Sequence, residues 1–165
     1  SIYKNKNNLS NFLTNLKKGY IAGGFIIDCV LCENDEDYDF GDIDCYYPNT
    51  VHFNKELKRF QMKDMTYSNK HYLDCIEISD NNFKFFCGTT MIHIILKTNN
   101  VSKFIDEEFD FDICKNKYWY TNKDHLSVKS WNQILSKKAI SPYKIVDPNL
   151  RELKYMNKGF SFQKN

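Results

Sequence analysis

The stretch Gly19–Pro48, GYIAGGFIIDCVLCENDEDYDFGDIDCYYP, contains the order of features that decides the fold. A glycine pair, Gly23 and Gly24, interrupts an apolar run, and the apolar segment FIIDCVL after it predicts a short buried helix. An acidic loop follows, and DIDCYY then has the apolar and aromatic character of a strand. The stretch therefore predicts a helix, an acidic loop and a strand in direct succession.

The composition predicts one folded domain over residues 1–165. The chain is 42% hydrophobic and 16% aromatic, which is enough to build a core and argues against disorder. Its formal net charge of +2 neither requires nor excludes a nucleic-acid partner. No apolar run reaches the roughly 18–20 residues of a membrane-spanning helix, so we expect no membrane partner. The six cysteines have mostly apolar neighbours, which is typical of reduced thiols and predicts a cytoplasmic location.

Helical and strand-like patterns alternate through the rest of the chain. Helices are predicted at 7–18, 51–62, 101–107, 125–139 and 149–159, and strands at 71–79, 83–97 and 109–120. This mixture is typical of an α+β fold, in which helices pack on a mixed or antiparallel sheet. We place the core of the domain at about residues 10–120 and a C-terminal helical segment at about 124–160.

Two aspartates, Asp42 and Asp44, lie at i and i+2 in the predicted strand DIDCYY. Their side chains point to the same face of the sheet, roughly 6–7 Å apart along the chain. An isolated pair of this kind is usually a solvated strand face, but the next residues, Cys45, Tyr46 and Tyr47, indicate a mostly buried strand. Buried carboxylates that repel each other are costly unless they are protonated or bind a cation.

A second pair, Asp110 and Asp112, repeats this spacing in EFDFDIC, and the alternation there predicts that both side chains share one strand face. If the two strands are neighbours, three or four carboxylates meet, and oxygen ligands of this kind suit Mg²⁺ or Mn²⁺. A glycine pair at a helix start allows backbone N–H groups to approach a phosphate, which the helix dipole also favours. Together these features predict a nucleoside-triphosphate site, although Gly23 and Gly24 alone also fit close helix–sheet packing.

The order GG, DID and DFD resembles that of the DNA polymerase β-like nucleotidyltransferase superfamily, over about residues 10–120. Members of that superfamily carry a glycine pair after a helix, an Asp-x-Asp on the first strand and a third Asp on a later strand. GGFIID is also similar to the GGxVRD segment of the tRNA-nucleotidyltransferase and bacterial poly(A)-polymerase branch, with Asp28 at the position of its last residue. The chain departs from these patterns at Phe25, where Ser or Thr is usual, and at Ile27, where the branch has Arg.

The resemblance implies a nucleotidyltransferase-like fold and a metal-dependent transfer. A nucleoside monophosphate would move from ATP or another NTP to an unidentified hydroxyl of a nucleic acid, a protein or a small molecule. Two Mg²⁺ or Mn²⁺ ions about 3.5–4 Å apart would neutralise the developing charge, and lysines or Arg151 would contact the triphosphate. The implied catalytic residues are Asp42, Asp44, Asp110 and Asp112, the implied metal ligands are Asp42, Asp44 and Asp110, and the implied nucleotide-binding residues are Gly23, Gly24 and Phe25. Asp112 is the alternative to Asp110 as the third carboxylate.

A rival interpretation keeps the fold without the chemistry: a catalytically inactive nucleotidyltransferase-fold protein that serves as a binding or scaffolding module. Phe25 and Ile27 favour this interpretation, whereas the two aspartate pairs oppose it. The chain is also similar in character to small nucleotidyltransferase-like proteins of large DNA viruses and phages. A viral protein in the host cytoplasm is the origin that this similarity implies.

Two further motifs have structural interpretations. Cys29 and Cys32 form a CxxC that is more typical of a helix core than of a zinc site, because no further ligands pair with it at suitable spacing. The aromatic run 118–120 is more typical of sheet-edge packing than of stacking on a base.

Overall fold

The computed structural model describes residues 18–32, 38, 40–61, 75–78, 81–87, 90–144 and 147–164. Within these ranges the elements in chain order are β1 (Tyr20–Ala22), α1 (Gly24–Leu31), β2 (Ile43–Tyr47), α2 (Thr50–Gln61), β3 (Cys75–Ile78), β4 (Asn82–Cys87), β5 (Thr90–Leu96), α3 (Val101–Glu108), a 3-10 helix (Asp112–Cys114), β6 (Lys117–Tyr120), β7 (Asp124–Ser127), α4 (Trp131–Ser136), β8 (Lys138–Ser141), α5 (Leu150–Met156) and β9 (Ser161–Lys164). None of these helices is both long and apolar enough to cross a bilayer.

Seven of the strands form one mixed sheet in the order β3-β4-β5-β2-β1-β6-β7, and β8 and β9 form a separate parallel pair. In the large sheet β2 and β5 are parallel, and the other neighbours are antiparallel. A parallel pair needs a long crossover, and the chain between β2 and β5 contains α2 and the β3–β4 hairpin. The predicted α+β fold, with helices packed on a mixed sheet, is confirmed.

The strand β2 is anchored from one face of the sheet. Ile43, Cys45 and Tyr47 point to this face, where they join the largest buried cluster together with Phe53 of α2. The other buried members of that cluster are Ile21, Phe25, Phe83, Phe85, Ile92 and Ile94. Burying one such apolar side chain contributes about 1.5–3 kcal/mol, so the alternation in β2 fixes its register and turns Asp44 to the opposite face.

Helix α3 covers part of that opposite face. Ile105 of α3 packs in one buried cluster with Ala22 and Tyr46. Asp44 points to the same face, because it lies two residues before Tyr46 in the strand. The register places Asp44 between Ala22 of β1 and His93 of β5, at the end of the sheet where β1 leads into α1.

A third buried cluster joins α1 to the C-terminal segment. Its members are Ile27, Phe111, Ile113, Cys114, Ile134, Ala139, Tyr155 and Phe160. Tyr155 of α5 lies close to the glycine pair, since a Cβ added at Gly24 would be 3.3 Å from the Tyr155 Oη. The C-terminal segment therefore packs over the start of α1.

The predicted strand over 109–120 is wrong in its first half. A loop contains Asp110, Asp112 opens the 3-10 helix, and the strand β6 begins only at Lys117. The reason is tertiary packing: Phe111, Ile113 and Cys114 are all buried in the cluster beneath α5, which an alternating strand would not allow. Asp110 and Asp112 consequently do not share a strand face.

Two other predicted elements are each divided into shorter elements. One strand is predicted at 83–97, and the structure has the two antiparallel strands β4 and β5 there. The predicted helix over 125–139 contains β7, the short helix α4 and the strand β8. A buried Asn116 explains the break before α4: its Oδ1 accepts from the N of Lys129 at 2.9 Å, and its Nδ2 donates to the Oγ of Ser130 at 2.9 Å.

Some of the remaining predicted helices and strands lie within the described residues, and others lie outside them. The helices predicted at 51–62, 101–107 and 149–159 correspond to α2, α3 and α5, and the strand predicted at 71–79 corresponds to β3. The predicted C-terminal helical segment, about 124–160, also contains the strands β7 and β8, and the strand β9 follows it. The predicted helix at 7–18, apart from Lys18, and most of the acidic loop lie outside the described residues.

Candidate functional site

A cavity of about 400 Å³ lies at the end of the sheet where β1 leads into α1. It is enclosed by the start of α1, by β2, by the end of α3 with the loop after it, and by α5. Its lining residues are Gly23, Gly24, Asp44, Tyr46, Glu108, Phe109, Asp110, Cys114, Tyr143, Arg151, Lys154 and Tyr155. Three carboxylates and two cations therefore face one space that is large enough for a small polar ligand.

The glycine pair forms the floor of this cavity at the N-terminus of α1. Gly23 has φ +83° and ψ −145°, a backbone conformation that is open essentially to glycine alone. Space is not the restriction there, because an added Cβ would meet only the ring of Phe109, at 3.8 Å. The sequence therefore needs glycine at 23 for the sharp turn from β1 into α1, and this turn points the helix N-terminus into the cavity. Helix N-termini favour anions.

Asp44 brings a carboxylate from β2 into the same cavity. Its Oδ1 lies 3.5 Å from Nδ1 of His93, and the Asp44 side chain is 42% exposed, so a ligand can reach it. Partial burial raises the pKa of Asp44, and the charge of Asp42 raises it further, whereas His93 and Lys154 act to lower it. The net upward shift favours uptake of a proton by Asp44.

Asp110 is the most heavily bonded carboxylate of the cavity. Its Oδ2 accepts from Nε of Arg151 at 2.5 Å and from Oη of Tyr143 at 3.2 Å. Its Oδ1 accepts from Nη2 of Arg151 at 3.1 Å and from the N of Phe111 at 2.9 Å. Burial alone would raise the pKa of Asp110, but the hydrogen bonds and charge of Arg151 lower it.

Three of the residues predicted for the site do not line the cavity. Asp42 is exposed just before β2, and its charge acts on Asp44 from a distance. Asp112 accepts from the N of Ile140 at 2.8 Å and so joins the 3-10 helix to β8. Phe25 is buried in the core, where its ring packs against Phe40 with centroids 5.8 Å apart. The structure brings together Gly23, Gly24, Asp44 and Asp110 from the predicted set.

Asp28, the last residue of GGFIID, has a structural position. It is completely buried and accepts from Oη of Tyr38 at 2.9 Å, from the N of Gly41 at 2.9 Å and from Nζ of Lys158 at 2.8 Å. Because Gly41 immediately precedes Asp42 and β2, these bonds hold the start of β2 against α1. Asp28 is therefore a positioning residue for the strand that presents Asp44.

Glu108, Lys154, Tyr143 and Tyr155 line the cavity but were not predicted as site residues. The sequence does carry one signal for the side of the cavity that α5 forms, namely the rarity of arginine. The chain has 23 basic residues, of which only Arg59 and Arg151 are arginines. Of these two, Arg151 lines the cavity, where its guanidinium group offers a planar fork of donors.

The cavity fits a divalent cation only together with a ligand that supplies more oxygen atoms. The described ranges contain no group of three or more His, Cys, Asp or Glu side chains arranged to hold a metal ion. Asp44 and Asp110 are nevertheless hard oxygen donors facing one space. Mg²⁺ is usually bound by one or two carboxylates plus substrate phosphates, rather than by an all-protein cage. The donor set thus suits a metal that arrives with a polyphosphate.

The two motifs given structural interpretations lie away from this cavity. Cys29 is exposed, so its predicted place in a helix core is wrong, and Cys32 is only partly buried and donates to the O of Cys29 at 3.3 Å. The ring of Trp119 stacks between those of Tyr20 and His125, with centroid distances of 5.7 and 5.0 Å. This stacking engages both faces of the indole, as expected of packing within the sheet.

Comparison with known proteins gives one assignment. No curated protein matches the chain. The model of the family described as Gabija anti-defense 2 (Gad2) family protein matches residues 2–138. Because that match spans well over half of the 165 residues, the chain belongs to the Gabija anti-defense 2 family.

Proposed function

We propose that the chain is a metal-dependent nucleotidyltransferase that moves a nucleoside monophosphate from an NTP to a hydroxyl acceptor. The observation that carries this proposal is the shared cavity, in which a glycine-started helix N-terminus, Asp44, Asp110 and two cations face each other. The helix N-terminus and the two cations can bind phosphate oxygens, and the two carboxylates can bind a metal ion. A metal–triphosphate ligand requires both kinds of group. The resemblance of GG, DID and DFD to nucleotidyltransferases of the DNA polymerase β-like superfamily supports the same reaction.

Five of the lining residues have a role in this proposal. The N-terminus of α1 at Gly23 and Gly24 receives phosphate oxygens, which its dipole favours. Asp44 and Asp110 would hold Mg²⁺ or Mn²⁺, and a bound ion would supply positive charge against the charge of the phosphates. Lys154 supplies a positive charge beside Asp44, because it acts to lower the pKa of that carboxyl. Asp42 tunes Asp44 from outside the cavity, and the acceptor hydroxyl belongs to a nucleic acid, a protein or a small molecule.

The family name supports a biological role for this transfer. Gabija anti-defense 2 describes proteins that act against a defence called Gabija. We infer that nucleotidyl transfer, or nucleotide binding by the same cavity, is the means by which this chain opposes that defence. A phage or other viral origin and a location in the host cytoplasm accord with such a role.

One observation favours the second candidate function, a catalytically inactive binding or scaffolding module. Arg151 makes two hydrogen bonds to Asp110 and so occupies a carboxylate that the transfer needs. In an inactive protein this ion pair would be permanent. The two functions therefore differ in whether a metal-bound nucleotide enters the cavity.

A thermal-shift titration with the four NTPs tests the proposal. Binding to the folded state raises the melting temperature, by an amount set by ligand concentration relative to Kd. We expect an NTP to stabilise the wild type only when Mg²⁺ or Mn²⁺ is present, and we expect Asp44→Asn to lose this effect. Asp124→Asn on the distant edge strand β7 removes the same charge and is the matched control. A well-folded wild type that responds to no NTP would contradict the proposal.

Transfer itself is tested with an NTP labelled on the α-phosphate. Incubated with bacterial extract, the wild type should attach label to a macromolecule or small molecule and release pyrophosphate. Asp44→Asn should attach none. Metal-dependent binding without any attachment would favour the inactive binding module.

A further inference from the structure

We propose that Arg151 is an exchangeable counter-ion: it neutralises Asp110 in the ligand-free chain and transfers to phosphate oxygens when a metal-bound polyphosphate enters the cavity. The exchange frees Asp110 for the metal at the moment when the phosphates arrive. This inference rests on the proposed function and adds to it a coupling between two ligands through one side chain. Arg151 lies beyond residues 2–138, the part that matches the family.

The first argument is that Asp110 has no acceptor site to spare. An ionised carboxylate offers about four lone-pair sites. Asp110 accepts four hydrogen bonds, of which two come from Arg151, one from Tyr143 and one from the N of Phe111. A cation can bind Asp110 only if a donor leaves, and Arg151 is the donor whose charge opposes a cation most strongly.

The second argument is that Arg151 is free to move while Asp110 is not. The Arg151 side chain is 53% exposed, whereas that of Asp110 is 12% exposed. A half-exposed guanidinium on the wall of a cavity can change rotamer without disturbing buried packing. Its planar fork, which holds the Asp110 carboxylate through Nε and Nη2, matches a phosphate group equally well.

The third argument is that α5 does not need this ion pair to fold. Asn149 caps the helix, because its Oδ1 accepts from the N of Glu152 at 2.8 Å. Glu152 is buried and pairs with Lys164 of β9, and Tyr155 is 1% exposed in the buried cluster that joins α5 to α1. These contacts hold α5 in place, so the Arg151 guanidinium is available for a role in the cavity.

The exchange has a thermodynamic consequence. A metal alone must compete with Arg151 for Asp110, and a polyphosphate alone must draw Arg151 from Asp110 and leave that carboxylate without its cation. When both ligands bind, the polyphosphate takes Arg151 away from Asp110, and the metal replaces Arg151 as the cation beside Asp110. Metal and polyphosphate should therefore reinforce each other's binding through Arg151.

The test compares two probes, Mn²⁺ alone and the preformed 1:1 complex of Mn²⁺ with inorganic triphosphate. Binding of Mn²⁺ alone is followed by the EPR signal of the free ion, and binding of the complex by calorimetry. The variants are Arg151→Gln and Arg151→Lys, and Lys123→Gln at the β6–β7 turn is the control that removes one charge far from the cavity. Circular dichroism and melting temperature establish that each variant is folded.

We expect the two probes to respond in opposite directions. Arg151→Gln should bind Mn²⁺ alone at least about fivefold more tightly than the wild type, and the Mn²⁺–triphosphate complex at least about tenfold more weakly. For each probe, the affinity of Arg151→Lys should lie between those of the wild type and Arg151→Gln. The affinities of Lys123→Gln should equal those of the wild type.

A permanent ion pair between Arg151 and Asp110 gives a different pattern. In Arg151→Gln, the affinities for Mn²⁺ alone and for the Mn²⁺–triphosphate complex would then fall together or stay unchanged. If the wild type binds the complex and shows that pattern, the exchange is wrong while the proposed function stands. If the wild type binds neither probe, the exchange and the proposed function both fail.

Discussion

Lys158 donates to the buried carboxylate of Asp28 at 2.8 Å, across 130 residues of chain. This ion pair joins the turn after α5 to α1, the helix that follows the glycine pair. Asp28 also accepts from the N of Gly41 at the start of β2. One carboxylate thus connects three of the parts of the chain that enclose the cavity: α1, β2 and the C-terminal segment.

Removing the positive charge of Lys158 should destabilise the whole fold. The Asp28 side chain is 1% exposed and that of Lys158 is 25% exposed, so Lys158→Met leaves a buried charge with only neutral donors. We expect the free energy of unfolding to fall by about 2–3 kcal/mol, below the range for fully buried pairs because water reaches Lys158. Urea denaturation at pH 7 measures this change. Lys123→Met at an exposed turn should change stability by less than about 0.5 kcal/mol, and an equal loss in both variants would refute a specific role for the ion pair.

Gly23 and Gly24 should differ sharply in their tolerance of alanine. Gly23→Ala places a Cβ on a backbone with φ +83°, which costs on the order of 1–3 kcal/mol. Gly24 is the first residue of α1, where alanine is favourable, and its only close contact would be the Tyr155 Oη at 3.3 Å. Thermal denaturation should therefore show a clear loss for Gly23→Ala and a change within about 1 kcal/mol for Gly24→Ala. Equal stability of the two variants would mean that the turn from β1 into α1 tolerates a side chain.

The sequence predicts those parts of the site that local alternation fixes. The buried positions Ile43, Cys45 and Tyr47 make DIDCYY a strand, and their alternation necessarily turns Asp44 to the other face. Asp110 lines the cavity as expected, but for a different reason. It comes from a loop and not from a strand face, because Phe111 is buried beneath α5.

The rest depends on contacts between residues far apart in the chain. Arg151 meets Asp110 across 41 residues, and no periodicity within either segment encodes that meeting. The break of the predicted helix over 125–139 is similar, since Asn116 bonds Lys129 and Ser130 from another part of the chain. Local patterns predict many of the elements, whereas the position of α5 beside the cavity follows from how the third buried cluster packs.

The ion pair between Arg151 and Asp110 should make stability depend on pH. Although burial opposes ionisation of Asp110, Arg151 lowers its pKa in the folded state. A carboxyl with a lowered folded-state pKa stabilises the protein above its unfolded pKa of about 3.9, and this contribution is lost as the pH falls through the folded-state pKa. At pH 7 we expect Arg151→Gln to be less stable than the wild type by about 1 kcal/mol, a small value because half of the Arg151 side chain is exposed.

Denaturant titrations from pH 7 downward measure the difference in the free energy of unfolding between the wild type and Arg151→Gln. This difference should stay constant to about pH 5 and narrow below about pH 4, because Asp110 then begins to take up a proton in the unfolded state. Lys123→Gln should show no such narrowing. A difference between Arg151→Gln and wild type that is independent of pH would mean that the lost stability comes from packing against Phe111 and not from the charge.

Asp42 should act on Asp44 through its charge alone. Partial burial is the main cause that raises the pKa of Asp44, and the negative charge of Asp42 adds to it. Asp42→Asn removes that charge from an exposed side chain, so we expect the pKa of Asp44 to fall while the fold and the cavity stay intact. Titration of the side-chain carboxyl carbons by ¹³C NMR measures the shift, and Asp124→Asn on β7 should leave it unchanged. If Asp42→Asn instead left the pKa of Asp44 unaltered but abolished Mn²⁺ binding, Asp42 would be a metal ligand, as the Asp-x-Asp pattern implies.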